Sequence, residues 1–186
     1  MTVLPDILSQ KWLNNFLCPF RIENMIREAN EEDCISLAGL SLDVWFNTYA
    51  LDGINTAYSK YAISTFTEQN FIKMIRDSKY RILVNTEEIY LRGYALINLE
   101  SFYAVAENGF EIDKLYVHGP FQGKGIGKGL LSEVERRYGE QFWLHTWVHN
   151  KSIGFYKKYG FKEIGRYVFM LGEEKIQNCV LCYSRT

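Results

Sequence analysis

The chain has little of several features that would assign it to a special class of protein. Its 186 residues include only three prolines, and its net charge is −1. A net charge this close to zero argues against a general nucleic-acid binder and against a protein that binds anionic membranes. No apolar run reaches the roughly 18 residues of a membrane-spanning helix, and the start lacks a signal-peptide pattern. We therefore expect a cytoplasmic protein with neither nucleic acid nor membrane as a partner.

The few cysteines and histidines do not indicate a metal site or a disulfide framework. Cys179 and Cys182 have the spacing of half a zinc site, but the other two of the four cysteines do not form a matching pair. In the strand expected there, the two side chains point to opposite faces. His145 and His149 share a strand face, with no third ligand at a suitable spacing. We predict that the chain binds no metal.

Apolar and aromatic side chains are abundant, at 47% and 16% of the residues. This composition and length suit one folded domain with a well-filled core. We expect a helical extension at residues 1–20 and an α/β domain with a mixed sheet at residues 21–186. The apolar spacing and capping residues predict further elements. Helices are expected from 31 to 47, from Thr56 and after Thr67, and strands at 22–28, 80–85, 90–99, 162–170 and 176–184.

A glycine-rich loop between a strand and a helix is the most informative segment. β-Favouring residues precede it from Phe110 to Val117, and apolar residues follow at helical spacing from Ile126 to Val134. The loop and first helical turn contain Gln122, Gly123, Lys124, Gly125, Ile126, Gly127 and Lys128. Glycines let a ligand approach the backbone, and a helix N-terminus with nearby lysines favours a phosphate. The segment therefore predicts a diphosphate-binding site.

The spacing within this loop excludes two familiar phosphate-binding motifs. A P-loop would need glycine where Gln122 stands and Ser or Thr where Gly129 stands. A dinucleotide fingerprint needs G-x-G-x-x-G, which fails in every frame. The pattern that does fit is Q-x-x-G-x-G, formed by Gln122, Gly125 and Gly127.

This motif, with its strand before and helix after, resembles the pyrophosphate-binding motif of the GNAT superfamily of acyl-CoA-dependent N-acetyltransferases. The segment 142–161 resembles the second signature of that family, with Asn150, Phe155, Tyr156, Gly160 and Phe161 in the matching places. The resemblance spans roughly residues 22–184 and implies the GNAT fold. That fold is an α/β (α+β) arrangement with a mixed, mostly antiparallel sheet of about six or seven strands flanked by helices. It also implies transfer of an acetyl group from acetyl-CoA to a primary amine, by direct attack in a ternary complex.

The resemblance implies cofactor-binding residues beyond the loop. The backbone of Leu115, Tyr116 and Val117 is expected to pair with the pantetheine arm as another strand would. The Val117 N–H is also placed to polarise the thioester carbonyl. Asn150 is expected to hydrogen-bond the pantetheine, to cap the following helix, or to do both.

Three side chains are candidates for acid–base chemistry. A protonated primary amine, whose pKa is ordinarily about 10.4, must lose a proton before it can attack. Glu111 is the candidate base, acting directly or through an ordered water, and Asp113 on the same strand face is its nearest competitor. Tyr156, which matches a tyrosine that lies near the coenzyme A sulfur in the family, is the candidate acid for the departing thiolate. The histidines are expected to pack or to face solvent.

The sequence leaves the acceptor amine open. The segments Leu40–Tyr49 and Arg166–Ser184 resemble bacterial PaiA-type polyamine acetyltransferases. Carboxylates attract a polycation, and the candidates are Asp52, Glu100, Glu173 and Glu174. Protein or peptide amines are the alternative acceptors. From a different class, a catalytically weak acyl-CoA-binding regulator would bind coenzyme A without releasing thiol, and a homodimer also stays open.

Overall fold

The computed structural model describes residues 25–172 and 174–185. The helix predicted at residues 1–20 and the carboxylate of Glu173 lie outside the described residues. The strands are β1 (Met25–Glu28), β2 (Tyr80–Glu87), β3 (Tyr90–Asn98), β4 (Phe110–Val117), β5 (Gln141–Trp147), β6 (Lys162–Leu171) and β7 (Glu174–Ser184). The helices are α1 (Cys34–Tyr49), α2 (Thr56–Thr65), α3 (Glu68–Arg76), α4 (Ile126–Tyr138) and α5 (Ile153–Tyr159).

The described strands form one sheet in the order β1-β2-β3-β4-β5-β7-β6. All neighbours run antiparallel except β4 and β5, which are parallel. The predicted mixed, mostly antiparallel sheet is therefore confirmed. Within 25–172 and 174–185, none of the helices combines the length and apolar character needed to cross a bilayer.

Helices cover both faces of the sheet, and the period-2 alternation of the strands decides which side chains each face buries. Helix α4 packs on one face through Leu130, Leu131 and Val134, against Phe142 and Leu144 of β5. Burying each such side chain contributes about 1.5–3 kcal/mol. We call this the α4 face.

The opposite face, which we call the α1 face, is covered by α1, α2 and α3. Leu37 of α1 and Phe71 of α3 pack against Tyr94 and Leu96 of β3. A separate cluster joins α1 and α2 to the β6–β7 hairpin through Trp45, Ala62, Phe66, Leu171 and Ile176. This cluster places α2 over the end of the sheet where the hairpin turns.

The local signals for helix starts are mostly confirmed. Asn30 forms a capping box with Asp33, although a 3₁₀ turn at Glu31–Asp33 precedes α1. The Thr67 hydroxyl accepts a hydrogen bond from the Asn70 N–H at 3.1 Å and caps α3. The expectation that Asn150 caps α5 is wrong, because the helix starts at Ile153 with Ser152 at the N-cap position.

A β-bulge interrupts β4 at Asp113. Leu96 of β3 lies opposite Lys114, and the next residue of β3 lies opposite Ile112, so Asp113 has no partner across the strand. Such an extra residue shifts the alternation by one, so that two successive side chains share a face. Ile112 and Leu115 accordingly pack on the α4 face. Asp113 and Lys114 therefore both face α1.

We predict that Gly109→Ala strongly destabilises the fold. Gly109 has φ +76°, and a Cβ there would overlap the backbone carbonyl of Gln141 at the start of β5. Backbone strain and the clash together predict a loss of about 3 kcal/mol or more, measured by urea unfolding.

The matched control is Gly39→Ala on an exposed side of α1, where a Cβ meets nothing within 4 Å. Alanine is the better helix former, so this variant should gain up to about 1 kcal/mol. Equal unfolding free energies for the two variants would contradict the prediction.

Candidate active site

Strands β4 and β5 separate after a short paired stretch. Only Phe110 with Phe142 and Glu111 with Trp143 are paired across these strands in the described structure. The strands then diverge around a cavity of about 650 Å³. Its lining comes from α1, α2, β4, the glycine-rich loop, β5, α5 and β6. A cavity of this size suits a small-molecule site.

The separation leaves backbone groups of β4 directed at the cavity. The His118 N–H donates to the Arg92 carbonyl of the strand on the other side, at 2.9 Å. Because successive residues of a strand alternate in direction, Tyr116 also bonds towards β3, whereas Leu115 and Val117 direct their backbone groups towards β5. Leu115, Tyr116 and Val117 all line the cavity. Leu115 and Val117 thus offer a strand edge to a ligand, and Tyr116 offers its side chain.

The glycine-rich loop fits a diphosphate. Gly123 and Gly125 have φ of +74° and +87°, and a Cβ at either position would project into open space. Helix α4 starts at Ile126, so the N–H groups of its first turn have no carbonyl one turn earlier within the helix. The first internal bond is from the Gly129 N–H to the Gly125 carbonyl, at 2.9 Å. The remaining donors can hold an anion, as helix N-termini commonly do.

Lysines surround this loop and add positive charge. Lys128, Lys151 and Lys158 line the cavity. The Lys124 ammonium lies over the Phe121 ring at 5.0 Å, so it is held beside the loop. These lysines and the helix N-terminus all favour the phosphate groups of a diphosphate ligand.

Two polar side chains of the predicted cofactor set brace the cavity walls. The Gln122 amide donates to the Val117 carbonyl at 3.0 Å and closes the loop back onto β4. The Asn150 amide donates to the Thr146 hydroxyl at 2.8 Å and accepts from the Ser152 N–H at 2.8 Å. Asn150 therefore fixes the turn between β5 and α5, and its second amide N–H is left for another acceptor.

Tyr156 lies on α5 at the cavity wall, and 7% of its surface is exposed. Burial raises the pKa of its phenol well above the usual 10. The hydroxyl therefore stays protonated at neutral pH and can donate a proton or a hydrogen bond.

Glu111, Asp113 and His145 meet where β4 and β5 part. One ligand atom from each lies within 4.8 Å of the other two. The Glu111 carboxylate is 3.6 Å from His145 Nε2 and is only 12% exposed. Asp113 and His145 line the cavity, whereas Glu111 lies behind them and is absent from the described lining. The sequence did not predict this cluster.

The surroundings of this cluster raise the pKa of Glu111 and lower the pKa of His145. Burial, and then repulsion by Asp113, raise the pKa of Glu111, partly offset by a Ser101 hydrogen bond and by Lys114. Burial lowers the pKa of His145, although Asp113 opposes that shift. The Lys114 ammonium donates to Asp113 at 2.8 Å, so this carboxylate already has one cationic partner. His145 is therefore a neutral imidazole at pH 7, beside two carboxylates.

The part of the cavity beyond this cluster has aromatic walls. Its lining includes Trp45, Tyr49, Tyr61, Phe66 and Phe169. The Tyr58 hydroxyl donates to Glu174 at 2.5 Å, which ties α2 to the β6–β7 hairpin. An apolar or aromatic body therefore fits this end of the cavity.

The sequence profile of the acetyltransferase (GNAT) family matches residues 42–161. The chain belongs to this family. A Lactobacillus delbrueckii subsp. lactis protein described as an uncharacterized N-acetyltransferase in the pepI 3′ region is 26% identical over 160 residues. That alignment covers 81% of this chain and 91% of the relative. The chain is therefore an N-acetyltransferase of the GNAT family.

Solved structures have the same fold. The PaiA N-acetyltransferase of Thermoplasma acidophilum, in complex with coenzyme A, superposes with a TM-score of 0.70 at 20% identity, covering 87% of this chain and 98% of that chain. The ribosomal-protein-alanine N-acetyltransferase of Brucella melitensis gives a TM-score of 0.63 at 22% identity, covering 87% and 99%. The second name describes an acceptor and the first does not, and at 20–22% identity the shared fold does not decide which amine this acetyltransferase modifies.

Sequence reasoning missed the position of two residues of this acetyltransferase. His145 was expected to pack or face solvent, but it lies in the cavity wall beside Glu111. Lys114 was assigned no role, and the bulge directs it to Asp113. The only local signal for His145 was a histidine in the strand before Asn150, and its partners are on another strand.

We predict that Gly125→Ala weakens coenzyme A binding by about tenfold. Its positive φ disfavours a Cβ by about 1–2 kcal/mol, and relief of this strain would move the loop donors away from the diphosphate. Isothermal titration calorimetry with coenzyme A measures the change.

The control is Gly53→Ala in the α1–α2 loop, which has φ +117° and equally open space. It carries a comparable strain and should leave the dissociation constant for coenzyme A within twofold. Equal weakening by both variants would contradict a specific role for Gly125.

Proposed function

We propose that this acetyltransferase moves the acetyl group of acetyl-CoA to a small primary amine, by direct attack in a ternary complex. The observation that carries the proposal is a single cavity that extends from the glycine-rich loop to Asp113 and His145. Both substrates can therefore bind side by side. The residues that line this described cavity include no cysteine, the side chain best suited to an acyl-enzyme.

When bound, acetyl-CoA supplies the acetyl thioester, and the chain supplies position and proton transfer. Deprotonating an amine of pKa about 10.4 at pH 7 costs more than about 4 kcal/mol, so a nearby base is valuable. Glu111, acting directly or through an ordered water, is the proposed base, and Asp113 beside it is the alternative. The Val117 N–H, at the open edge of β4, can donate to the thioester oxygen. The Tyr156 phenol can donate its proton to the thiolate.

The cavity favours an amine with an apolar or aromatic body. Aromatic side chains attract an ammonium group through their ring faces as well as packing against carbon. Asp113 is the carboxylate among the described lining residues, and Lys114 already pairs with it. This half of the cavity thus suits one ammonium group better than several.

Polyamine acetylation is the second candidate. It is supported by the likeness of the tail to PaiA-type enzymes and by a structural neighbour named PaiA N-acetyltransferase. The predicted carboxylates give it less support. Asp52 and Glu100 do not line the cavity, and Glu174 accepts a hydrogen bond from Tyr58.

A thiol-release assay with acetyl-CoA tests the function across four classes of acceptor. The panel contains arylalkylamines and alkylamines, spermidine and spermine, free amino acids, and peptides with a free N-terminus or a lysine. We expect the largest kcat/KM in the first class. A preference for spermidine would favour the second candidate, and tight coenzyme A binding with no release for any amine would instead support a non-catalytic acyl-CoA binder.

We predict that Tyr156→Phe lowers kcat by at least about tenfold, with little change in the KM for acetyl-CoA. The phenylalanine retains the packing but removes the proton donor near the leaving sulfur. Steady-state kinetics with the best acceptor of the panel measures this change.

Tyr159→Phe, one turn later on α5, is the matched control. Tyr159 does not line the described cavity, and its hydroxyl lies 3.5 Å from Ser132. This variant should keep kcat within twofold. A similar kcat for both variants would remove Tyr156 from the proposed chemistry.

A further inference from the structure

We propose that Glu111, Asp113 and His145 together hold the ammonium group of the acceptor, and that His145 is the base that takes its proton. This inference rests on the proposed function and refines it, because the proton passes to His145 and Glu111 helps to hold the ammonium. It also departs from the expectation that the histidines pack or face solvent.

The gap between the three side chains has the size of an ammonium site. Their ligand atoms lie within 4.8 Å of one another, and Glu111 and His145 Nε2 are 3.6 Å apart. In a triangle with sides no longer than 4.8 Å, some point lies within about 2.8 Å of all three corners, so a nitrogen at or just above that point is at N–H···O hydrogen-bond distance from each. An ammonium group has three N–H donors, and two carboxylates with a neutral imidazole provide three acceptors. The cluster therefore matches a primary ammonium in both distance and number.

The cluster lies at the wall of the cavity. Asp113 and His145 line the wall near the open edge of β4, where a thioester would pair with Leu115 and Val117. Glu111 lies behind this wall and reaches His145 Nε2 at 3.6 Å. A ligand in the cavity thus meets the imidazole before it meets Glu111. Asp113 is a weaker candidate base because its carboxylate already accepts a hydrogen bond from the Lys114 ammonium at 2.8 Å.

The His145 imidazole is neutral in the free enzyme at pH 7. The groups that face His145 are Glu111, Asp113 and Lys114 of β4 and Tyr167 of β6, whose ring centroid is 5.0 Å away. Burial lowers the pKa of His145, so the free enzyme presents a neutral base at pH 7. Once His145 takes a proton, the Glu111 carboxylate, 3.6 Å from Nε2, stabilises the imidazolium by its opposite charge.

The proton and bond changes balance without another reactant. The ammonium gives one proton to His145, and the resulting amine forms a nitrogen–carbon bond as the carbon–sulfur bond breaks. The attacking nitrogen then loses a second proton to Tyr156, and this proton replaces the one that the phenol gives to the thiolate. The imidazolium then releases its proton to solvent, so the products are the amide, the free thiol and one proton.

A divalent cation is the competing occupant of the same gap, because two carboxylates and a histidine are also metal ligands. The Lys114 ammonium, hydrogen-bonded to Asp113, offsets one of the two negative charges. The cluster with a neutral histidine therefore carries a charge closer to −1 than to −2, which favours a monovalent ammonium over a divalent metal.

The test is the pH dependence of kcat/KM for the best amine, measured from pH 5 to pH 9 on the full chain. If the ammonium form binds and His145 accepts its proton, kcat/KM rises with pH through a pKa below the usual 6.5 and then levels off. If only the free amine reacts, kcat/KM keeps rising towards the pKa of the amine, about 10.4.

His145→Gln, which keeps a polar side chain of similar size, should lose the plateau and lower kcat by about a hundredfold. Glu111→Gln should keep the plateau but shift its pKa downward, because the imidazolium loses its counter-charge, and should lower kcat by about tenfold. His149→Gln is the matched control, since His149 lies in the turn after β5 and outside the described cavity lining. The His149→Gln variant should change neither the pH plateau nor kcat.

Two further outcomes would overturn the inference. A plateau that survives in His145→Gln and disappears in Glu111→Gln would make Glu111 alone the base, and the proposed acetyl transfer would stand. Activity lost with EDTA and restored by Zn²⁺ would place a metal in the gap. Coenzyme A affinity and thermal unfolding, measured for each variant, separate these effects from misfolding, and no thiol release by the unaltered chain would contradict the proposed function itself.

Discussion

The early separation of β4 and β5 is the constraint on which the rest of the site depends. Two adjacent parallel strands normally satisfy each other's backbone groups, and here they do so for two residue pairs. Beyond that point the edge of β4 requires another hydrogen-bonding partner, because unpaired backbone groups away from water are costly. An extended ligand arm with amide groups of its own can provide that partner. The fold therefore keeps an unfinished sheet edge inside the domain.

The packing on either side keeps the two strands apart. On the α4 face, Leu130 and Tyr156 lie in the same core as Leu144 of β5. On the α1 face, aromatic rings occupy the space. The ring centroid of Tyr49 lies 5.9 Å from that of Trp147 and 5.1 Å from that of Trp45. Rigid rings hold the cavity open at little cost in side-chain entropy, since each has only two rotatable bonds. The cavity is therefore largely preformed in the free protein.

The parts of the molecule that could be predicted from the sequence depend on neighbours along the chain. The strand–loop–helix unit around Gly125 and the caps at Asn30 and Thr67 each depend on a few consecutive residues. The prediction that Asn150 caps α5 was wrong. In sequence, an asparagine that caps a helix looks the same as one that closes a turn just before the helix. The Asn150 side chain bonds instead to the Ser152 N–H in a local turn.

The contact between Glu111 and His145 could not be predicted, because it depends on the register of two strands that are more than thirty residues apart in the chain. The bulge at Asp113 could not be predicted either. Asp113 and Lys114 are both polar, so the extra residue does not visibly interrupt the alternation of apolar and polar side chains. Period-2 alternation correctly grouped Glu111 with Asp113. The bulge prevents the same alternation from being extended past Asp113 to Lys114.

The bulge limits how the length of this chain can vary. Adding or deleting one residue between Asp113 and Val117 would either break the pairing with β3 or turn the remaining side chains of β4 to opposite faces. Lys114 and Leu115 would then exchange faces, and the lysine would enter the apolar core of the α4 face. The segment from residue 99 to residue 109 precedes β4, so a change of length there would not shift the pairing of β4 with β3. Insertions and deletions in relatives of this chain should therefore collect before β4 and be absent within it.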